Sequence, residues 1–226
     1  MFSLGSVWEW FANPSNWDGR YGLWNLLFEH LTISLGSIVL AALVALPLGI
    51  AVGHSGKGEA WVVGLSSVSR AVPTMGLLFA LVMLLGINFR ELALVLALAA
   101  IAVPPILAGT YSGISAIPKA TTLAATAQGM RASQLIFFVE LPLSASSIIG
   151  GLRIAFIQVV STVVLAPLVG LGGLGFGIIQ GLALRDFAQV TSSALVIVAL
   201  TLVGNFGLAL AQNKTRVSIV QTQLDR

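Results

Sequence analysis

Residues 31–53 pass without a single Asp, Glu, Lys, Arg or His, and a run of about 20 apolar residues is what crossing a bilayer requires. Similar runs occupy 92–114, 147–169 (where Arg153 is the one charge) and 190–212. Residues 60–89 are apolar apart from Arg70, with Pro73 three positions on. That stretch is too short for two spans and a turn. It reads as one long helix, bent or broken near Pro73. The expected fold is an all-α membrane protein of about five transmembrane helices in one domain. Composition agrees, because charged residues are 8% of the chain against roughly 25% in soluble domains. So little polar surface cannot cover a soluble core.

The net charge of +3 comes from 11 basic and 8 acidic residues, too sparse for a nucleic-acid surface. The absence of cysteine excludes disulfides, iron–sulfur clusters and thiolate zinc sites. The N-terminus lacks a basic n-region, so no cleaved signal peptide is expected.

Lys and Arg placement orients the spans. With the segment between spans three and four inside, the inner parts hold Lys57, Lys119, Arg131, Lys214, Arg216 and Arg226, and the outer parts Arg20, Arg90 and Arg185. This favours an outer N-terminus and a cytoplasmic C-terminus. Trp8, Trp10, Trp17 and Trp24 precede the first run and suit an aromatic belt on the outer face. The chain divides into an outer interfacial segment (1–28), a transmembrane domain (29–212) and a cytoplasmic tail (213–226).

Two motifs invite other readings. GLGGLG (170–175) has the letters of a dinucleotide fingerprint, but it leaves a span on the outer side, outside any βαβ unit. Its glycines continue at four-residue spacing through Gly173, Gly177 and Gly181, which suits close helix packing. GHSGKGE (53–59) lacks the first glycine of a phosphate loop, and Gly58 stands where Ser or Thr must hold magnesium. It is a turn between spans. His30 and His54 lie at span ends with no ligand cluster beyond adjacent Glu29, so no metal site is expected.

The intramembrane polar residues are few. Gln158, Ser161 and Thr162 share one helical face; Thr110 and Tyr111 end span three, Asn205 lies in span five, and Pro73 and Thr74 sit at the break in span two. They either bond between helices or line a translocation pathway. Arg70 and Arg153 are costlier guests, about 2.5–3.5 kcal/mol each at a helix centre, and both fall toward the cytoplasmic half. A channel or secondary transporter would need inverted repeats or coupling-ion carboxylates within spans, and neither is visible. No catalytic pair supports an intramembrane enzyme.

The segment 118–142 is too polar to span. Pro118 can open a helix at Lys119 that Ala-rich sequence carries to Gln128, before Gly129 interrupts. A second short helix, 131–139, should end before Pro142. Within it Ala124 and Ala125 are followed after three residues by Gly129, and after nine more by Val139-Glu140-Leu141-Pro142. This spacing resembles the EAA loop of permease subunits of ABC importers, with Leu123 in place of the acid and Val139 in place of Ile. EHLTIS (29–34), PTMGLLFALV (73–82), PPILAGTYSGI (104–114), GGLRIA (150–155) and LVGLGGLG (168–175) further resemble the quaternary-amine, or osmoprotectant, branch.

The resemblance implies a fold like the methionine-importer permease. It implies that Ala124, Ala125, Gly129, Met130, Arg131, Glu140, Leu141 and Pro142 form the part that couples to a cytoplasmic ATPase. It implies a second permease, identical or homologous, and a separate extracytoplasmic substrate-binding protein. ATP and magnesium would be bound by the ATPase, leaving this chain without a cofactor or catalytic residue. Glycine betaine, choline or carnitine is the implied cargo; methionine or an organic anion would use the same architecture.

Overall fold

The computed structural model describes residues 4–62, 64 and 72–224. Arg70 and Arg226 lie outside the described residues. Every regular element among the described residues is helical. In chain order the α-helices with both ends described are α1 (Leu4–Ala12), α2 (Leu23–Ser55), α3 (Thr74–Leu85), α4 (Arg90–Ser115), α5 (Lys119–Ala127), α6 (Ala132–Leu135), α7 (Leu141–Thr162), α8 (Gly175–Leu184) and α9 (Phe187–Leu224).

Among the described residues four helical stretches are long and apolar enough to cross a membrane: Leu23–Ser55, Ile87–Ser115, Ala132–Val169 and Phe187–Thr215. These account for four expected spans. Of the remaining one, expected over 60–89, residues 63 and 65–71 lie outside the described residues, and at Pro73 the backbone is not helical. Pro73 takes an extended conformation (φ −69°, ψ 112°) and precedes α3, whose 12 residues end at Gly86 (φ 88°). Twelve helical residues rise only about 18 Å, short of the ~30 Å of hydrocarbon.

Two boundaries differ from the sequence reading. α2 starts at Leu23, ahead of the apolar run, so Glu29 and His30 lie inside a helix instead of at its end. The helix after Arg131 does not stop before Pro142: α6 passes through a π-turn (Ile136–Glu140) straight into α7. A proline ring clashes with the carbonyl four residues earlier in an α-helix. The wider π-turn directly before Pro142 moves that carbonyl away, and the helix continues.

The chain divides into two compact units. One comprises residues 1–39, 72–99 and 156–204. Its core gathers Leu23, Leu26, Leu174 and Ile197 with Trp10, Phe11, Trp17 and Phe176 packed against them. The aromatic rings form a chain, with Phe11–Trp17 centroids 6.2 Å apart and Trp17–Trp24 centroids 5.3 Å apart, and Trp17 Nε1 donates to the Phe11 carbonyl at 2.8 Å. α8 and α9 meet at a tight turn in which Arg185 holds φ 58°. Asp186 Oδ1 accepts the Ala188 and Gln189 N–H groups there and caps α9.

The other unit comprises residues 40–71, 100–155 and 205–226. Small residues four apart bring its helices together. A Cβ on Gly49 or Gly53 of α2 would lie 2.7 Å from Thr110 Cβ or 2.8 Å from Ile114 Cβ of α4. On α4, a Cβ on Gly109 would meet the Ser147 carbonyl at 2.8 Å, and one on Gly113 would meet Ser147 Cβ at the same distance. Gly151 of α7 faces the Pro105 carbonyl, which a Cβ would approach to 2.5 Å. Such contacts replace the hydrophobic drive that apolar lipid cannot supply.

Gly151→Val should therefore destabilise the protein by at least about 1–3 kcal/mol, because the obstructing atom is backbone. Thermal unfolding in detergent checks this. Gly207→Ala, at a position where a Cβ meets nothing within 4 Å, should leave the midpoint unchanged or raise it slightly.

Candidate functional site

The segment 118–142 lies wholly in the second unit and is held by a specific turn. At the end of α5 the Gly129 N–H donates to the Thr126 carbonyl at 2.9 Å and the Met130 N–H to the Ala125 carbonyl at 3.3 Å. Gly129 has φ 85°. This 6→1 and 5→2 pair is a Schellman ending, which requires positive φ at its central residue. The chain restarts at Arg131, whose N–H donates to Gln134 Oε1 at 2.9 Å, and enters α6.

Of α5, only Ala125 is buried. Ala124, Gly129 and Arg131 are exposed, and Met130 is half-buried. Leu123, in the place of an acid, is 67% exposed, and Phe137 and Phe138 of the π-turn are 65% and 72% exposed. The segment thus exposes these apolar side chains among polar ones, including Lys119, Gln128, Arg131, Ser133 and Gln134. A Cβ on Gly129 would meet nothing within 4 Å.

Glu140 is its anchor. The carboxylate is almost fully buried, and His54 Nδ1–H donates to both oxygens at 3.0 and 2.9 Å. His54 is the penultimate residue of α2. The pair therefore ties the end of α2 to the junction of the π-turn and α7. Leu141 is half-buried and Pro142 exposed at that junction. Sequence reasoning weighed His54 only as a metal ligand. Its partner is 86 residues away, and the one hint was an acidic residue beside Leu141-Pro142 in an otherwise apolar helix.

Arg153 finds no carboxylate among the described residues. Its Nε and Nη2 donate to Asn205 Oδ1 at 3.1 and 3.0 Å, and Nη1 donates to Gln212 Oε1 at 2.5 Å. Gln212 Nε2 in turn donates to the Ser146 carbonyl at 2.9 Å. Asn205 is therefore engaged in holding an arginine. Thr110 is also structural, being fully buried with its hydroxyl donating to the Ile106 carbonyl at 2.8 Å. The Thr110 hydroxyl and Asn205 Oδ1 are thus both engaged within the chain. Tyr111 is half-buried.

In the first unit, Gln158 and Ser161 are exposed, and half-buried Thr162 donates to the Gln158 carbonyl at 2.7 Å. Pro73 is exposed and Thr74 half-buried at the start of α3. The GLGGLG loop is clamped from α2. Gly173 N–H donates to Glu29 Oε2 at 3.0 Å, and Gly172 leaves no room for a Cβ beside that carboxylate. His30, fully buried, accepts the Leu174 N–H at Nδ1 (3.3 Å) and donates from Nε2 to the Val160 carbonyl (3.0 Å). These roles fix the tautomer. The glycine loop is a fitted joint. Its later members, Gly177 and Gly181, pack on Ser193 and Val190 of α9.

Among the described residues no group of His, Cys, Asp or Glu could hold a metal ion. The sequence matches the family model for the binding-protein-dependent transport system inner membrane component over residues 44–214. It is similar to a choline transport system permease protein of Bacillus subtilis, 33% identical over 187 residues, covering 83% of this chain and 85% of the relative. It is also similar to a carnitine transport permease protein of Listeria monocytogenes, 35% identical over 181 residues, covering 80% and 82%. In fold it resembles a chain of the methionine ABC transporter solved in inward-facing conformations. The TM-score there is 0.73 at 18% identity, covering 95% of this chain and 99% of that one.

His54→Ala should loosen 118–142, since it removes a hydrogen bond to a charged group worth about 1.5–3 kcal/mol and leaves a buried carboxylate unpaired. Tryptic cutting at exposed Arg131 should rise several-fold. Adding Glu140→Leu to His54→Ala should bring cutting back toward the wild-type rate, because the orphaned charge is gone.

Proposed function

The chain belongs to the family of binding-protein-dependent inner membrane transport components, and from that premise we propose that its cargo is a quaternary-amine osmoprotectant: glycine betaine, choline, carnitine or a close relative. It is a multi-pass permease subunit of an ABC importer, not an enzyme. The observation that carries the cargo is the identity of about a third, over four-fifths of the chain, with permeases named for choline and carnitine.

The coupling runs through 118–142. In this reading α5 lies in a groove of a cytoplasmic ATPase, which binds ATP and magnesium. The exposed Leu123, Phe137 and Phe138 give that contact apolar area in place of the polar contact an acid at 123 would make. A push on α5 reaches the membrane by two routes. One is the unbroken helical path from Ala132 through the π-turn into α7. The other is the Glu140–His54 pair into α2. Two permeases, alike or homologous, then switch between inward- and outward-facing states, and a separate binding protein delivers solute outside. Gln158, Ser161 and Thr162 face the pathway or the partner permease, since polar groups turned toward hydrocarbon lack partners. The N-terminus is outside and the C-terminus cytoplasmic.

Three measurements test this. In the complex with ATPase and binding protein, betaines should stimulate hydrolysis and methionine should not; stimulation by methionine alone would overturn the cargo. Cysteines at Gln128 and Ser133 should stay unlabelled by an impermeant reagent added outside sealed cells, and labelling would reverse the topology. Gly129→Asp should abolish stimulated hydrolysis while insertion survives. Aspartate tolerates positive φ better than most residues, at a cost of about 1–2 kcal/mol or less, so the damage reports the ATPase contact, where a new charge must lose water. Full uptake by this variant would refute the coupling role.

A further inference from the structure

We infer that the permease carries its own small-molecule site, separate from the binding protein, for a zwitterion of the betaine class. The site is a pocket of about 320 Å³ within the first unit, formed where the N-terminal aromatic segment meets α8 and α9. Small-molecule sites run from roughly 300 Å³ upward. The inference rests on the cargo and the outer placement of the N-terminus proposed above.

The lining is built for a solute with two opposite charges. Asp18 and Arg20 both line the pocket and are exposed. Neither makes an ion pair among the described residues; the Arg20 guanidinium lies 5.7 Å from the Tyr21 ring centroid instead. Tyr21 is fixed by stacking on Phe176, with centroids 4.4 Å apart and planes 9° apart. Trp10 supplies aromatic surface, which with the Asp18 carboxylate suits a quaternary ammonium. Arg20 suits a carboxylate.

The polar groups of the wall are half spent. Gln189 Nε2 donates to the Gly177 carbonyl at 3.2 Å and to Gln180 Oε1 at 2.9 Å. Gln180 Nε2 and Gln189 Oε1 are left without a protein partner among the described residues. Ser193, buried and seated against side-chain-free Gly177, adds a hydroxyl. Beneath them Leu23 and Leu26 are buried apolar surface.

The test uses the assembled permease–ATPase complex in nanodiscs without its binding protein, equilibrated with radiolabelled glycine betaine or choline. Wild type should bind both saturably. Asp18→Asn should weaken both by roughly tenfold, since both carry the quaternary ammonium. Arg20→Gln should weaken glycine betaine by a similar factor and leave choline, which has no carboxylate, unchanged. Co-elution with the ATPase verifies that each variant assembles. The inference is overturned if both variants bind like wild type. It is also overturned if wild type binds neither solute while the complete transporter takes up glycine betaine. Variants that lose only affinity for the binding protein would make the pocket a protein-docking surface and likewise overturn it. Failure of the complete transporter to take up any betaine would instead refute the cargo, in an assay independent of these variants.

Discussion

Hydrocarbon offers no water to a polar group, so each polar side chain along these helices needs a partner within the chain or the assembly, or access to a watered pathway. That constraint accounts for most of the side-chain bonding. In the first unit His30, fully buried, spends one ring nitrogen on the Val160 carbonyl and the other on the Leu174 N–H. In the second, Arg153 is neutralised by dipoles, with Asn205 and Gln212 supplying the acceptors. Ser34, Ser37, Thr110 and Thr201 return their hydroxyls to carbonyls four residues back. Ser192 Oγ is the buried exception among the described residues.

The same constraint explains how the segment 118–142, proposed above to couple to an ATPase, can be polar and yet held in place. Its turns close on their own backbone, through the Schellman ending at Gly129 and the return of Gln134 to the Arg131 N–H. Its single buried acid is matched by His54. It leaves exposed both large apolar side chains, Leu123, Phe137 and Phe138, and polar ones, among them Lys119, Gln128, Arg131, Ser133 and Gln134. Motion transmitted to it enters the spans through helix and not through slack loop, because the π-turn before Pro142 removes the break that proline would otherwise impose.

The spans were legible because apolar runs need no partner to be recognised: α4 begins two residues before, and ends one residue after, the run at 92–114. The spacing from Ala124 to Pro142 was legible for a related reason, since the turn at Gly129 is local. Long-range pairings were not. His54–Glu140, Arg153–Asn205 and Glu29–Gly173 join residues 86, 52 and 144 positions apart, and no local pattern announces them. Sequence shows that Asn205 and Thr110 are intramembrane polar groups, but not that the Thr110 hydroxyl and Asn205 Oδ1 are already bonded within the chain. The continuation through Pro142 was missed because proline near the start of a helix and proline after its end look the same in sequence. Sequence left open whether the helix bends or breaks near Pro73, where the residue is extended; the shortness of α3 depends on Gly86, whose positive φ the sequence does not display.

The central claim is that the exposed face of α5 meets an ATPase, and chemical cross-linking measures that contact directly. A chain with cysteine at Leu123, joined to its ATPase in native membranes, should cross-link to the ATPase through a short bifunctional thiol reagent. The yield should change between the nucleotide-free and ATP-bound states. A cross-link to the binding protein alone, or none to the ATPase in either state, would contradict the account.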